Sequence, residues 1–97
     1  MARPALLAPV TLGAALPALP AWRVQSGALV RTLTFDGFMP GVKALALIGP
    51  LADALDHHPD VELGFGKLVL RLSTHDAGGI TALDVELASQ IDRALGG

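Results

Sequence analysis

The chain has 97 residues, a formal net charge of −2 and no cysteine. This length suits one small domain with a single core, which we predict to span residues 1–97 with a loose N-terminus at residues 1–8. Hydrophobic residues make up 52% of the sequence, which excludes a disordered chain. Lys and Arg form no cluster, so nucleic-acid binding through phosphate contacts is not expected. Without cysteine, disulfides and thiolate metal sites are excluded.

The first 21 residues are rich in Ala and Leu and imitate a secretory signal. Prolines interrupt this run, and no polar cleavage region precedes Trp22, so we do not expect a signal peptide. No later run is long and apolar enough to suggest a membrane span. We therefore predict no membrane association.

A short helix and a β-hairpin are predicted next. Residues 9–19 can form the helix, with Thr11 as its N-cap. Residues 22–24 and 29–35 have the composition of strands and are joined through Ser26-Gly27.

A long helix is predicted over residues 38–56, where apolar residues recur at helical spacing. These residues are Phe38, Val42, Leu45, Ile48, Ala52 and Leu55. Pro50 lacks the N–H that would bond the carbonyl of Ala46, a loss of roughly 3 kcal/mol inside an ordinary helix. We expect a kink or a break there.

The rest of the chain predicts a second hairpin and a last helix. Residues 61–65 and 67–73 form the strands, turned by glycines, and the second alternates leucines with polar residues. Thr81-x-x-Asp84 resembles a capping box and opens the last helix. The order predicts an α+β fold, a four-stranded antiparallel sheet covered on one face by two long helices plus a short N-terminal helix.

All three histidines lie in two short stretches, DHHP at residues 56–59 and STHD at residues 73–76. Since Pro59 disfavours a helical residue before it, the long helix should end near His57. The negative end of the helix dipole would favour a protonated imidazole there, which suits a general acid. His75 follows the last strand and would point away from its leucines. A histidine at a helix end and one at a strand end can meet in one pocket.

Other interpretations of these residues stay open. A loop histidine is commonly a solvated surface residue, Asp84 can be only a helix cap, and Asp53 only a solvated helix residue. Alternatively, His57 or His58 could combine with His75 and Asp84 as a two-histidine, one-carboxylate metal site. Adjacent side chains point in different directions, which makes the DHHP pair awkward for that purpose.

One spaced set of residues resembles the signature of the pterin-4a-carbinolamine dehydratases. The set is Asp53, His57-His58-Pro59, Phe65, His75 and Asp84. Trp22 and the stretches LVRTLTFDGF, STHDAGGIT and ALDVELASQID also resemble elements of that family, so the likeness covers roughly residues 9–95. Two features depart from the family pattern: a phenylalanine at position 65, where tyrosine is common, and Gly49-Pro50 in the second helix.

The resemblance implies a lyase that removes water from 4a-hydroxytetrahydropterin to give quinonoid dihydropterin, in support of tetrahydrobiopterin recycling. It implies no metal and no separate cofactor, because the pterin is the substrate. The implied catalytic residues are His57, His58 and His75. The implied substrate-binding residues are Asp56, Ser73, Thr74 and Asp76. The implied orienting residues are Asp53 and Asp84, and Asp53 could pair with His57 one turn later.

The resemblance also implies partners. We expect a cytoplasmic homodimer or homotetramer, functionally coupled to an aromatic amino acid hydroxylase, with no nucleic acid or membrane bound. The family pairs strands edge to edge in its oligomers, and residues 29–35, apolar and free of proline, are the edge expected to do so. Members of this family also resemble non-catalytic interaction modules, either a dimerisation cofactor of a transcription factor or an assembly chaperone of a carboxylase. The complete histidine set favours the enzyme over the interaction module, and a purely structural role ranks third.

Overall fold

The structure, a computed structural model, describes residues 4–96. Helix α1 (Pro9–Ala15) continues into a 3₁₀ turn (Leu16–Ala18) and is followed by β1 (Arg23–Gln25), β2 (Ala28–Thr34), α2 (Met39–Leu55), β3 (Asp60–Gly64), β4 (Lys67–Leu72), a 3₁₀ turn (His75–Ala77) and α3 (Ala82–Ala94). The strands form one antiparallel sheet in the order β1-β2-β4-β3. The predicted α+β fold is confirmed.

The core lies between the helices and one face of the sheet. The leucines of β4 pair in register with apolar residues of β2, so that Leu72 lies opposite Leu29 and Leu68 opposite Leu33. Directly opposed residues of an antiparallel pair share a face. This face packs against α2 and α3, where Ile48 and Leu87 are completely or almost completely buried.

The first hairpin turns as its sequence predicts. Ser26 and Gly27 both have positive φ, 51° and 74°, the combination that a two-residue type I′ turn requires. The resulting strand β1 has only three residues. Strand β2 lies between β1 and β4, so the prediction that residues 29–35 form an edge is wrong. The outer strands are β1 and β3.

Helix α1 begins at the first residue of its predicted range but is capped differently. Its N-cap is Ala8 rather than Thr11, because Pro9 has no N–H to be satisfied and can occupy the first helical position. Part of the segment predicted to be loose is held: the backbone N–H of Leu7 donates to the carbonyl of Ile80 at 3.0 Å. Residues 1–3 lie outside the described residues.

Helix α2 departs from its prediction in two ways. It runs without a break through Pro50, and the exposed position of Ala46 leaves the carbonyl that loses its donor on the solvent side. Its buried face also includes small residues that the apolar stripe did not contain, Gly41 and Ala44. A Cβ on Gly41 would lie 2.7 Å from Cδ1 of Leu63, so glycine lets β3 approach the helix.

Candidate active site

The first half of the site is built at the end of α2. Asp56 follows the helix in the left-handed conformation, with φ of 48°. The N–H of Asp56 donates to the carbonyl of Asp53, and the N–H of His57 to that of Ala52, a Schellman arrangement that ends the helix. The chain therefore turns sharply at Asp56, and the side chains of His57 and His58 diverge. Helix α2 ends at Leu55, one residue before the end of its predicted range, 38–56.

The second half of the site follows β4. The strand ends at Leu72 rather than continuing towards His75. Thr74 pairs with Gly79 in an isolated antiparallel bridge, and the 3₁₀ turn between them carries His75. The condition on which the orientation of His75 was predicted, that the strand continues to it, is not met, and the bridged turn sets the direction of its side chain. The side chain of His75 is 84% exposed.

His57 reaches into the protein to meet Asp84. Its Nε2 lies 2.5 Å from Oδ1 of Asp84, a carboxylate that is completely buried. The other oxygen of Asp84 accepts the backbone N–H of Thr81 at 2.8 Å, which completes the predicted capping box of α3. One carboxylate therefore both caps the last helix and holds an imidazole from the preceding one.

Asp53 contacts the second histidine rather than the first. Its Oδ1 lies 2.8 Å from Nε2 of His58, and both side chains are exposed. The expected pair between Asp53 and His57 is wrong, because the left-handed residue Asp56 turns His57 inwards and leaves His58 beside the helix. An exposed pair of this kind is worth little free energy, so it orients His58 only loosely.

One carboxylate near the site, Asp60, is not among the residues predicted from the sequence. Its Oδ2 lies 4.0 Å from Nε2 of His75, and both side chains are exposed. Asp60 is the first residue of β3, which pairs with β4 in antiparallel register, so the start of β3 lies beside the end of β4. Because Asp60 and His75 are far apart in sequence, their proximity is not apparent from the sequence. A strand register derived from the hairpin glycines would have indicated that they are neighbours.

These residues surround one open cleft with a volume of about 300 Å³. It is lined by Asp56, His57, His58, Ser73, Thr74, His75 and Asp76. The lining contains all three histidines and all four residues proposed for substrate binding. The two carboxylates proposed for orientation, Asp53 and Asp84, contact imidazoles of this cleft. Phe65 does not line the cleft: it lies in the β3–β4 turn and is 81% exposed.

The residues of the alternative two-histidine, one-carboxylate metal site do not come together. Among residues 4–96, the structure brings no three His, Cys, Asp or Glu side chains into a set that could hold a metal ion. Asp84 binds His57 directly, and His75 instead lies near Asp60. The arrangement suits proton transfer, since imidazoles exchange protons near neutral pH and carboxylates hold their orientation.

Fold and cleft together define a small α+β protein with a histidine and carboxylate site. The sequence profile of one family, pterin 4 alpha carbinolamine dehydratase, matches residues 5–94. The chain belongs to this family.

The chain is similar to several named relatives. It is 41% identical over 92 residues to a protein of Mycobacteroides abscessus named provisionally as a pterin-4-alpha-carbinolamine dehydratase, with 95% of this chain and 98% of that one covered. A similarly named protein of Sulfurisphaera tokodaii is 45% identical over 74 residues, covering 76% of this chain and 80% of its own.

Several solved structures resemble the fold, among them the following two. A transcriptional coactivator/pterin dehydratase from Brucella melitensis superposes with a TM-score of 0.85 at 28% identity, covering 91% of this chain and 96% of that one. A pterin dehydratase-like protein, described as a RuBisCO assembly factor in the α-carboxysome, gives 0.62 at 16% identity, covering 78% and 88%. The second likeness concerns the fold alone. Within residues 4–96, every helix falls short of the length and apolarity that crossing a membrane demands.

Proposed function

We propose that the protein is a 4a-hydroxytetrahydropterin dehydratase that uses its histidines as general acid and base. The observation that carries this proposal is the single cleft lined by all three histidines. Family membership supports the substrate class, a pterin bearing a hydroxyl on carbon 4a. The volume of about 300 Å³ lies at the lower end of the range for small-molecule sites, which suits a bicyclic ring.

The reaction is an elimination that needs two proton transfers. The bond between carbon 4a and its hydroxyl breaks while the departing oxygen gains a proton and leaves as water. The nitrogen N5 loses its proton, and its electrons form the double bond to carbon 4a. General acid and base groups typically accelerate such steps about 10²- to 10⁴-fold.

The roles divide according to how firmly each imidazole is held. His57, bonded to buried Asp84, is the fixed member of the acid/base pair, and His75 is its exposed counterpart. His58 binds and orients the pterin from beside Asp53. Asp56, Ser73 and Asp76, which also line the cleft, contact the amide edge of the ring. No separate cofactor takes part, because the proton transfers need none.

The decisive experiment measures dehydration of freshly generated 4a-hydroxytetrahydropterin by the purified protein, relative to the rate in buffer. We expect acceleration by the parent and its loss, by about 10²- to 10⁴-fold, in His57→Ala and His75→Ala. The matched control is Glu86→Gln, an exposed substitution on α3 outside the cleft. Circular dichroism establishes that each variant is folded. A folded parent that gives no acceleration would contradict the proposal.

A non-catalytic role on the same fold is the second candidate. It is favoured by the name of one similar structure, a transcriptional coactivator/pterin dehydratase. A folded parent that lacks dehydratase activity would direct the search to protein partners. Dehydratase activity that is present in the parent and lost in the histidine variants favours the enzyme.

We propose that the enzyme works as a homodimer or homotetramer in the cytoplasm, recycling tetrahydrobiopterin for an aromatic amino acid hydroxylase. The outer face of α2 supports self-association, since Met39 and Leu47 are each more than half exposed. Light scattering after size-exclusion chromatography measures the assembly. A monomer at micromolar concentration would contradict this part of the proposal.

A further inference from the structure

The buried carboxylate of Asp84 receives three hydrogen bonds. Oδ1 meets Nε2 of His57, while Oδ2 meets the backbone N–H of Thr81 at 2.8 Å and the hydroxyl of Thr74 at 2.9 Å. Asp84 is completely buried and Thr74 is 3% exposed. An ionised carboxylate, which only accepts, satisfies all of these donors at once.

The proton positions along this network follow from counting donors. Each threonine hydroxyl has one proton. The hydroxyl of Thr74 donates to Asp84, so the 2.7 Å contact between the two threonine oxygens requires that Thr81 donate to Thr74. The oxygen of Thr81 in turn accepts the N–H of Leu83. The chain of donors therefore runs in one direction, from the first turn of α3 to the carboxylate.

The charge of Asp84 determines the state of the histidine. An ionised carboxylate accepts at both oxygens, so Nε2 of His57 is the donor to Oδ1 and carries a proton. Protonation and deprotonation of His57 then occur at its other nitrogen, Nδ1. Any exchange at Nε2 would break the bond to a buried carboxylate, which is costly because the charge would be left without its partner.

We propose that His57 exchanges its proton with the substrate through Nδ1, and that Thr74 is a positioning residue that fixes this tautomer through Asp84. This inference rests on the proposed dehydratase function. The proton crosses at Nδ1 whether His57 protonates the departing hydroxyl or accepts the proton of N5. Thr74, proposed from the resemblance to bind substrate, acts instead behind the imidazole, because its hydroxyl is already bonded to Asp84.

Long-range ¹H–¹⁵N correlation spectra of the imidazoles test the tautomer without any substrate. We expect neutral His57 in the folded parent to carry its proton on Nε2. Asp84→Asn should invert this to the Nδ1–H tautomer, because its hydrogen-bonding partners occupy the amide oxygen and the NH₂ then faces His57. A proton on Nδ1 in the neutral parent would overturn the proposal, whatever the dehydratase assay gives.

Kinetics of two threonine variants test the positioning role. Thr74→Val removes the hydroxyl at nearly constant volume, and Thr74→Ser, the matched control, retains it. We expect Thr74→Val to lower kcat about 10- to 100-fold with little change in KM, the range found when outer hydrogen-bond partners of metal-bound histidines are removed. Thr74→Ser should stay near the parent. Equal kcat in folded Thr74→Val and parent would overturn the role of Thr74.

The two proposals fail in different ways. A parent without dehydratase activity but with the Nε2–H tautomer would contradict the proposed function and leave the network intact. An active parent with the opposite tautomer would contradict only the inference. Should Thr74→Val fail to fold, the Asp84→Asn spectrum still decides the tautomer, since its amide keeps the size of the carboxylate.

Discussion

The indole Nε1 of Trp22 donates a hydrogen bond of 2.8 Å to Oδ1 of Asp92, joining the residue before β1 to the last turns of α3. Arg31 of β2 forms an ion pair with the same oxygen, and both charged side chains are largely buried. The contact spans most of the chain. It fastens the N-terminal hairpin to the last helix.

Replacing Trp22 by Phe should therefore lower the free energy of unfolding by about 1–3 kcal/mol, because a hydrogen bond to a charged acceptor is lost and ring volume is removed. Urea unfolding followed by circular dichroism measures this change. Dehydratase activity of the folded variant should match the parent, since Trp22 does not line the cleft. Unchanged stability would show that Arg31 alone satisfies Asp92.

Asp56 provides a test of backbone strain beside the site. Its left-handed conformation costs roughly 1–2 kcal/mol for ordinary residues and more for β-branched ones, whereas glycine adopts it freely. Asp56→Gly should unfold at the same or a higher urea concentration than the parent, and Asp56→Val should lose about 1–3 kcal/mol. Loss of activity in stable Asp56→Gly would report a contact between the aspartate side chain and the pterin. Equal stability of the two variants would contradict the strain argument.

Gly49 and Gly27 form a matched pair for alanine substitution. In both cases no atom lies within 4 Å of the added Cβ, so steric contact does not separate them. Gly49 lies inside α2, where alanine stabilises a helix by up to about 1 kcal/mol over glycine. Gly27 has φ of 74°, which alanine adopts only with strain of about 1 kcal/mol or more. Urea unfolding should show changes of opposite sign, and changes of the same sign would contradict this explanation.

Pro50 should be replaceable with a gain in stability. Pro50→Ala restores an N–H to the unbroken helix and should raise the free energy of unfolding by about 1–2 kcal/mol, after the entropy that proline removes from the unfolded chain is subtracted. Thermal unfolding at fixed protein concentration measures it. Pro40→Ala is the control, since Pro40 lies in the first turn, where proline is tolerated. A destabilised Pro50→Ala would indicate that Pro50 makes a stabilising contact in the assembled protein.

Much of the fold could be predicted because local signals agree with it. Ser26-Gly27 predicts its hairpin, Thr81-x-x-Asp84 predicts its capped helix, and the leucines of β4 predict a buried face. Of the kink or break predicted at Pro50, no break occurs, because a proline in an exposed stretch of helix leaves its orphaned carbonyl on the solvent side.

The partners of the histidines could be predicted only in part. The spacing of Asp84 from His57 resembles the family signature, and the structure brings the two together. The pairing of Asp53 with His58 depends on the left-handed backbone conformation of Asp56, which no pattern in the sequence predicts. The approach of Asp60 to His75 depends on strand register, which sequence periodicity alone does not provide.

Asp84 both caps α3 and holds His57. When the first turn of α3 frays, His57 therefore loses its partner at the same moment. Each opening of the first turn releases the carboxylate, so the time-averaged fraction of competent enzyme equals the fraction in which this turn is closed. Amide hydrogen exchange at Leu83, whose N–H bonds to Thr81, reads that fraction directly. Denaturant should then reduce turnover before global unfolding, in proportion to the loss of protection at this amide.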